Sequence, residues 1–216
     1  MCAGAQQSAE ATSKPSTTSI ILQNGPKTGD NGAKYLNVEG KSKGKYASYG
    51  LVRFDLTAAK AELDKMFSAG KYQITGIALN LSQSIAGFSA AGGVNIYYTP
   101  DDSTAATGLK YPYNPSGPSL KGLQVGSCKF AVSAAHSPAG KTRDICDLTK
   151  LAGSKELANH IMQRKTLTLI LAEADPNVAA TWAGKENGAP PLLSLKASPT
   201  VKATTKTAPA KKPAGK

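Results

Sequence analysis

The segment SYGLVRFDL at residues 48–56 decides the fold, because its side chains alternate in character along the chain. Val52, Phe54 and Leu56 fall on one side of an extended chain, the two-residue period of a strand with one buried face. A second segment, TWAGKENGAPPLLSL at 181–195, predicts a strand, a Gly/Asn turn, a Pro pair and a closing strand. Neither segment carries a catalytic constellation, which argues for a binding or scaffolding module and against an enzyme.

The rest of the chain adds short strands and two short helices. Alternation is clearest at 166–172, where Leu167, Leu169 and Leu171 share one face, whereas helical spacing appears at 58–68 and 156–163. Further strands are predicted at 19–23, 34–38, 77–81, 94–98, 129–132 and 142–146. About nine strands at hairpin spacing predict an all-β fold, a jelly-roll β-sandwich with two short helices and disordered N- and C-terminal tails.

Composition divides the chain into three parts. Residues 1–17 lack periodicity and are predicted to be a disordered linker or the remnant of an export signal, 18–197 form the domain, and 198–216 form a disordered Lys/Ala/Pro/Thr tail. The net charge is +12, and half of it comes from 196–216, which holds six lysines and no acid. This excess favours polyanionic partners, namely acidic glycans, cell envelope or nucleic acid. No apolar run reaches transmembrane length.

The first residues leave the route of export open. Ala3-Gly4-Ala5 resembles a signal-peptidase site, while Cys2, followed by small residues, resembles the lipidated cysteine of a lipoprotein. A third reading is an arbitrary start of the sequence. Secretion or display at the cell surface is the expectation that the first two readings share.

Cys128 and Cys146 lie 18 residues apart between predicted strands. This spacing suits a disulfide across a hairpin of an exported protein. Two buried free thiols are the alternative.

An ordered set of motifs runs from 19 to 197: a Gly/Asn turn and strand at 29–38, the strands at 49–56 and 74–81, Asp-Leu-Thr at 147–149, and the closing segment 181–195. Together they resemble the DNRLRE-type domain, a jelly-roll module of secreted bacterial and archaeal proteins classed in part with carbohydrate-binding modules. Near 101–103 and 113–115 the family often carries Trp, and this chain does not. The resemblance implies extracellular binding or adhesion without catalysis.

Known catalytic and metal-binding patterns are missing from the sequence. His136 and His160 lack zinc-ligand spacing, and no nucleophile elbow or phosphate-binding loop is present. The adjacent Asp101 and Asp102 favour a turn, with a calcium ligand as the second interpretation. We therefore expect no cofactor, and calcium is a candidate for which the sequence identifies no complete ligand set.

Lysines and tyrosines offer a binding surface for sugars or acidic polymers. Lysine donates charge-assisted hydrogen bonds to uronate or sulfate, and tyrosine offers a flat face to a sugar ring. The candidates are Lys41, Lys43, Lys45, Tyr46 and Tyr49 on one hairpin, with Tyr111 and Tyr113 on a long loop. The alternative is a solvated lysine-rich turn that prevents edge-to-edge pairing.

The sequence thus predicts a non-catalytic extracellular module that binds polysaccharide, with acidic polymers favoured, at a cell surface or matrix. The alternative is a structural subunit that self-associates into a fibre or surface layer. The basic tail lacks aromatic residues and the domain lacks a nucleic-acid-binding motif, which argues against nucleic acid as the partner.

Overall fold

The computed structural model describes residues 8–29, 31–84, 89–101, 108–118, 120–132 and 143–200. Its strands are β1 (Ala9–Ser13), β2 (Pro15–Leu22), β3 (Gly25–Pro26), β4 (Tyr35–Glu39), β5 (Tyr49–Asp55), β6 (Tyr72–Ser82), β7 (Gly92–Thr99), β8 (Leu123–Phe130), β9 (Arg143–Asp147), β10 (Thr166–Glu173), β11 (Ala179–Ala183) and β12 (Leu192–Pro199). Its helices are α1 (Asn31–Lys34), α2 (Thr57–Phe67), α3 (Ser154–Gln163) and a 3-10 helix (Lys41–Tyr46).

Two antiparallel sheets form the body of the domain. The smaller has the order β1-β12-β6-β9, the larger has the order β3-β2-β5-β10-β7-β8, and β4 and β11 form a separate pair. Early strands pair with late ones, since β5 lies beside β10 and β6 beside β12. This nested pairing is that of a jelly roll and confirms the predicted all-β sandwich.

The main core lies between the two sheets. Phe54 of β5 and Leu169 of β10 come from the larger sheet, Leu79 of β6 comes from the smaller, and all three are fully buried. Trp182 of β11 is buried in the same cluster. Burying each such side chain stabilises the fold by about 1.5–3 kcal/mol before entropic costs.

A second apolar layer covers the outer face of the larger sheet. Leu51 of β5 and Ile170 of β10 point away from the main core, yet both are buried beneath Leu109 and Leu120. The prediction of one buried face for residues 51–56 was therefore too simple. A distant part of the chain covers the face that alternation alone would leave to solvent.

The domain begins earlier than the sequence predicted. The expected linker over 1–17 is wrong for residues 9–13, because β1 pairs along its length with β12. Ala11 and Ser13 face inward and are buried. Both are small, so β1 lacks the large apolar residues that mark a strand in a sequence. The predicted boundary at 197 is also short, since β12 extends to Pro199.

The predicted disulfide between Cys128 and Cys146 is confirmed, but the predicted hairpin is wrong, because β8 and β9 belong to different sheets and do not pair with each other. Cys128 lies in β8, at an edge of the larger sheet, and Cys146 lies in β9, at an edge of the smaller one. Their Cα atoms are 5.2 Å apart. The bond therefore links the two layers at one edge of the sandwich.

Candidate functional site

Lys41, Lys43, Lys45 and Tyr46 lie on the 3-10 helix between β4 and β5, and we call this segment the lysine tip. Backbone hydrogen bonds fix its first residues: the N–H of Gly40 donates to the Val178 carbonyl at 2.9 Å, and that of Ser42 to the Pro176 carbonyl at 3.0 Å. A Cβ atom on Gly40 would lie 2.3 Å from the Pro176 oxygen. Only glycine fits this close approach, so local packing holds the tip against the body of the domain.

The lysine tip presents charge and an aromatic ring to solvent. Lys41 and Lys45 are exposed, Lys43 is half-buried, and Tyr46 is 60% exposed. The Lys45 Nζ atom lies 5.2 Å from the centroid of the Tyr46 ring, within cation–π range. An anion and the flat face of a sugar can therefore be contacted side by side.

Tyr49 does not belong to this surface, although the sequence placed it on the same hairpin. Its side chain is only 2% exposed, in the second apolar layer. Burial raises the pKa of Tyr49 to about 12. Its ring packs against Tyr113, with centroids 5.4 Å apart. Tyr49 therefore stabilises the fold and offers no face to a ligand.

Tyr111 and Tyr113 are likewise used in packing. The Tyr111 hydroxyl donates to Glu173 Oε1 at 2.7 Å, and the Tyr113 hydroxyl donates to the Leu120 carbonyl at 3.1 Å. Tyr113 also meets Tyr97, with centroids 5.1 Å apart. Burial raises the pKa of both hydroxyls. Of the four candidate tyrosines, Tyr46 alone is exposed, and the three inner ones are engaged in packing.

A further lysine, which sequence reasoning missed, lies at the same end of the sandwich. The Gln23 amide donates to the Gly44 carbonyl of the tip, and the neighbouring Leu22 carbonyl accepts from the Tyr111 N–H at 3.0 Å. These contacts link the segment that carries the exposed Lys110 to the tip by way of Leu22 and Gln23. No local pattern could signal this, because the two segments are far apart in sequence.

A groove of about 370 Å³ crosses the outer face of the smaller sheet. Its lining consists of Glu10, Gly76, Ile77, Ala78, Asn80, Ile145, Asp147, Thr149, Ser194 and Lys196. No aromatic ring is among these residues, so the groove lacks the flat apolar platform that sugar rings prefer. Its charges are mixed, which makes it a weaker candidate for an acidic polymer than the tip.

The side chains of His160 and Asp55 take part in the hydrogen bonding of the fold. The His160 ring in α3 lies between the Tyr98 hydroxyl, 3.1 Å from Nδ1, and the Thr166 carbonyl, 2.9 Å from Nε2. Hydrogen bonds from the Thr57 hydroxyl and from the Thr57 N–H, the latter 2.9 Å long, lower the pKa of the exposed Asp55 carboxyl. The contact closes a local turn just before α2, whose N-cap residue Leu56 makes no side-chain capping hydrogen bond.

Over the residues that the structure describes, no three His, Cys, Asp or Glu side chains cluster in a way that could hold a metal ion. Asp102, the candidate calcium ligand, lies outside the described residues, as do His136 and the candidate lipidated Cys2. Of the described helices, none has the length and apolar character needed to span a membrane.

Comparison of the sequence with models of known protein families finds no match, and comparison with curated proteins finds no relative.

Proposed function

We propose that this chain is a non-catalytic, exported module that binds acidic polysaccharide through the lysine tip. The observation that carries the proposal is the exposed Tyr46 ring with the Lys45 ammonium 5.2 Å from its centroid. The resemblance to DNRLRE-type domains supports the same class of function, and the disulfide suits an oxidising compartment outside the cell.

The chemistry of the tip favours uronate or sulfate over neutral sugar. Lys41, Lys43 and Lys45 lie within one six-residue segment that is kinked at Gly44 and contains no acidic residue. A repeating anion along a polymer can contact several ammonium groups at once, while Tyr46 packs on a ring between them. Affinity that arises in this way is electrostatic, so it decreases as salt is added.

Binding to a set of immobilised glycans at low and high salt tests the proposal. We expect retention on polyuronate and sulfated polysaccharide, weak retention on neutral glucan, and release by salt. Lys41→Ala, Lys45→Ala and Tyr46→Ala should each weaken binding by about two- to fivefold. Lys71→Ala is the matched control, because Lys71 is an exposed lysine beyond α2, at the opposite end of the sandwich.

Three results would overturn the proposal. The first is the absence of binding to every glycan tested. The second is a loss of binding with Lys71→Ala as large as with the tip variants. The third is tighter binding to single-stranded DNA than to polyuronate of similar charge density. Turnover of any polymer would instead assign an enzyme.

A structural subunit that assembles with its own copies is the second candidate function. The observation that favours it is that both edge strands of the smaller sheet, β1 and β9, pair with a single neighbour among the described strands, so copies joined at both edges would form a continuous array. Particles seen by microscopy in a preparation that binds no glycan would favour this function over the first.

A further inference from the structure

The strand β9 forms one edge of the smaller sheet. In the part of the chain that the structure describes, β9 pairs with β6 alone, from Arg143 opposite Ser82 to Asp147 opposite Ala78. An edge strand presents unpaired N–H and C=O groups along its free side, and these can pair with another strand. The side chains of β9 decide whether such pairing is favoured.

One hydrogen bond shows which residues of β9 present their backbone to the free side. The Leu148 N–H donates to the Ile77 carbonyl at 2.9 Å, continuing the register of β9 and β6. In an antiparallel pair, residues alternate between bonding to the partner strand and facing away from it. Cys146 and Asp144 therefore bond toward β6, whereas the backbone groups of residues 143, 145 and 147 face the free edge.

The same three residues place their side chains on the outer face of the sheet. Arg143, Ile145 and Asp147 are all exposed, while the intervening Cys146 is buried. Ile145 is 69% exposed, more than any other exposed large hydrophobic side chain that the structure describes. A β-branched apolar residue thus lies at the centre of an open strand, with a cation on one side and an anion on the other.

This order of charges is complementary to itself when a second copy runs antiparallel. With a two-fold axis at Ile145, residue 145 faces its own copy, and Arg143 faces Asp147 of the second chain at both ends. Each of these pairs exchanges two backbone hydrogen bonds across the new edge. Opposite charges directly across antiparallel strands are stabilising, whereas like charges are destabilising.

We propose that β9 pairs with β9 of a second copy of this chain, which joins the two smaller sheets into one continuous sheet. A two-fold contact of this kind is closed, so it yields a dimer and no filament. The proposal does not rest on glycan binding, and it leaves the lysine tips free because they lie at the end of the sandwich. Two tips in one dimer would engage a long polymer together.

The charged partners are accessible for this contact. Asp147 accepts the Thr149 N–H through Oδ1, and its Oδ2 lies 3.4 Å from Lys150 Nζ. The Lys150 side chain is 78% exposed, so it can yield its place near Oδ2 to an arginine. The contact area of a single strand is small, which predicts a weak, concentration-dependent dimer.

Sedimentation equilibrium of the whole chain, up to about 1 mM, tests the proposal. We expect a monomer–dimer equilibrium that Ile145→Lys abolishes. Arg143→Glu places two acids opposite each other and Asp147→Lys places two cations, so each variant alone should dimerise about tenfold more weakly. A mixture of the two restores both opposite-charge pairs and should dimerise within about threefold of the wild type.

The mixture also controls for damage to the fold, because a misfolded variant would not be rescued by its counterpart. A monomer at every concentration would overturn the proposal. So would unchanged dimerisation of Arg143→Glu or Asp147→Lys alone, or a mixture no stronger than either variant. Binding of glycan by the lysine tip does not require the dimer, so the two proposals fail separately.

Discussion

Trp182 donates its indole Nε1–H to Oδ2 of Asp144 at 2.7 Å, and this bond ties β11 to β9. The Gln83 amide donates to both oxygens of the same carboxylate, at 3.0 and 3.1 Å. The Trp182 ring is fully buried and meets Phe130 edge-on, with centroids 5.6 Å apart. Asp144 therefore satisfies the single polar group of the largest buried side chain.

Removal of this carboxylate should destabilise the domain. Asp144→Ala leaves the Trp182 indole N–H without its acceptor, which should lower the free energy of unfolding by about 1–3 kcal/mol. Asp144→Asn keeps an acceptor oxygen and should cost less. Urea denaturation followed by Trp182 fluorescence measures both, and it is specific because the chain has one Trp. Equal stability of the alanine variant and the wild type would contradict this role.

The same residue should shape the response to acid. Burial raises the pKa of Asp144 in spite of its hydrogen bonds, whereas hydrogen bonds from Thr57 and Thr149 lower the pKa values of Asp55 and Asp147. A raised carboxyl pKa costs stability while the group is charged, and this cost is relieved as pH falls through the folded pKa toward the unfolded one. Asp55 and Asp147, whose pKa values are lowered, instead stabilise the fold while charged, and this contribution is lost as the pH falls through the acid range.

Asp144→Asn removes the carboxyl whose contribution to the free energy of unfolding rises in acid. It retains Asp55 and Asp147, whose contributions fall. We therefore expect its free energy of unfolding to fall more steeply than that of the wild type as the pH is lowered through the acid range. Denaturation midpoints at a series of pH values measure the two slopes. A shallower slope for the variant would reverse the sign and contradict the assignment.

The disulfide should account for a large share of the net stability. In the chain-entropy model, a loop of the length closed by Cys128 and Cys146 contributes about 3 kcal/mol. The double variant Cys128→Ala/Cys146→Ala should lose roughly this amount in thermal or urea unfolding. Reduction of the wild type should reproduce the loss, and Cys2→Ser should leave stability unchanged. A double variant as stable as the oxidised wild type would contradict the estimate.

The fold was predictable wherever local pattern and burial agree. Phe54 and Leu169 follow the two-residue period and lie in the main core. The strand β1 escaped prediction, because Ala11 and Ser13 are too small to mark an inward face. The prediction that Tyr49 lies on the binding surface was wrong, because the distant segment containing Leu109 and Leu120 packs over its ring.

The candidate site was predictable only in part for the same reason. A lysine-rich turn is visible in sequence, but whether a nearby tyrosine faces solvent depends on contacts between segments that are far apart. The segment that carries Lys110 is linked to the lysine tip through the contacts of Tyr111 and Gln23, which join residues far apart in the sequence. The self-complementary charges of β9 become visible only once its register with β6 is known.

Substitutions at Tyr113 and Tyr46 should distinguish a packing role from a ligand-binding role. Tyr113 packs between Tyr49 and Tyr97, so Tyr113→Ala should lower the free energy of unfolding by about 2–4 kcal/mol. Tyr46 is exposed, so Tyr46→Ala should change stability by less than about 0.5 kcal/mol. At a temperature where both variants are folded, only Tyr46→Ala should weaken retention on polyuronate. If Tyr113→Ala weakened retention and Tyr46→Ala did not, the inner tyrosines would be the residues that contact the ligand.

Gly40 should couple the stability of the domain to the position of the lysine tip. A methyl group at this position would lie 2.3 Å from the Pro176 oxygen, so the backbone must shift to accept it. Gly40→Ala should cost about 1–3 kcal/mol and weaken glycan binding, because the shift moves the segment that carries Lys41 and Tyr46. Gly188→Ala is the matched control, since a Cβ there meets nothing within 4 Å. Full stability of Gly40→Ala, or an equal cost at Gly188, would show that the tip is not held by this contact.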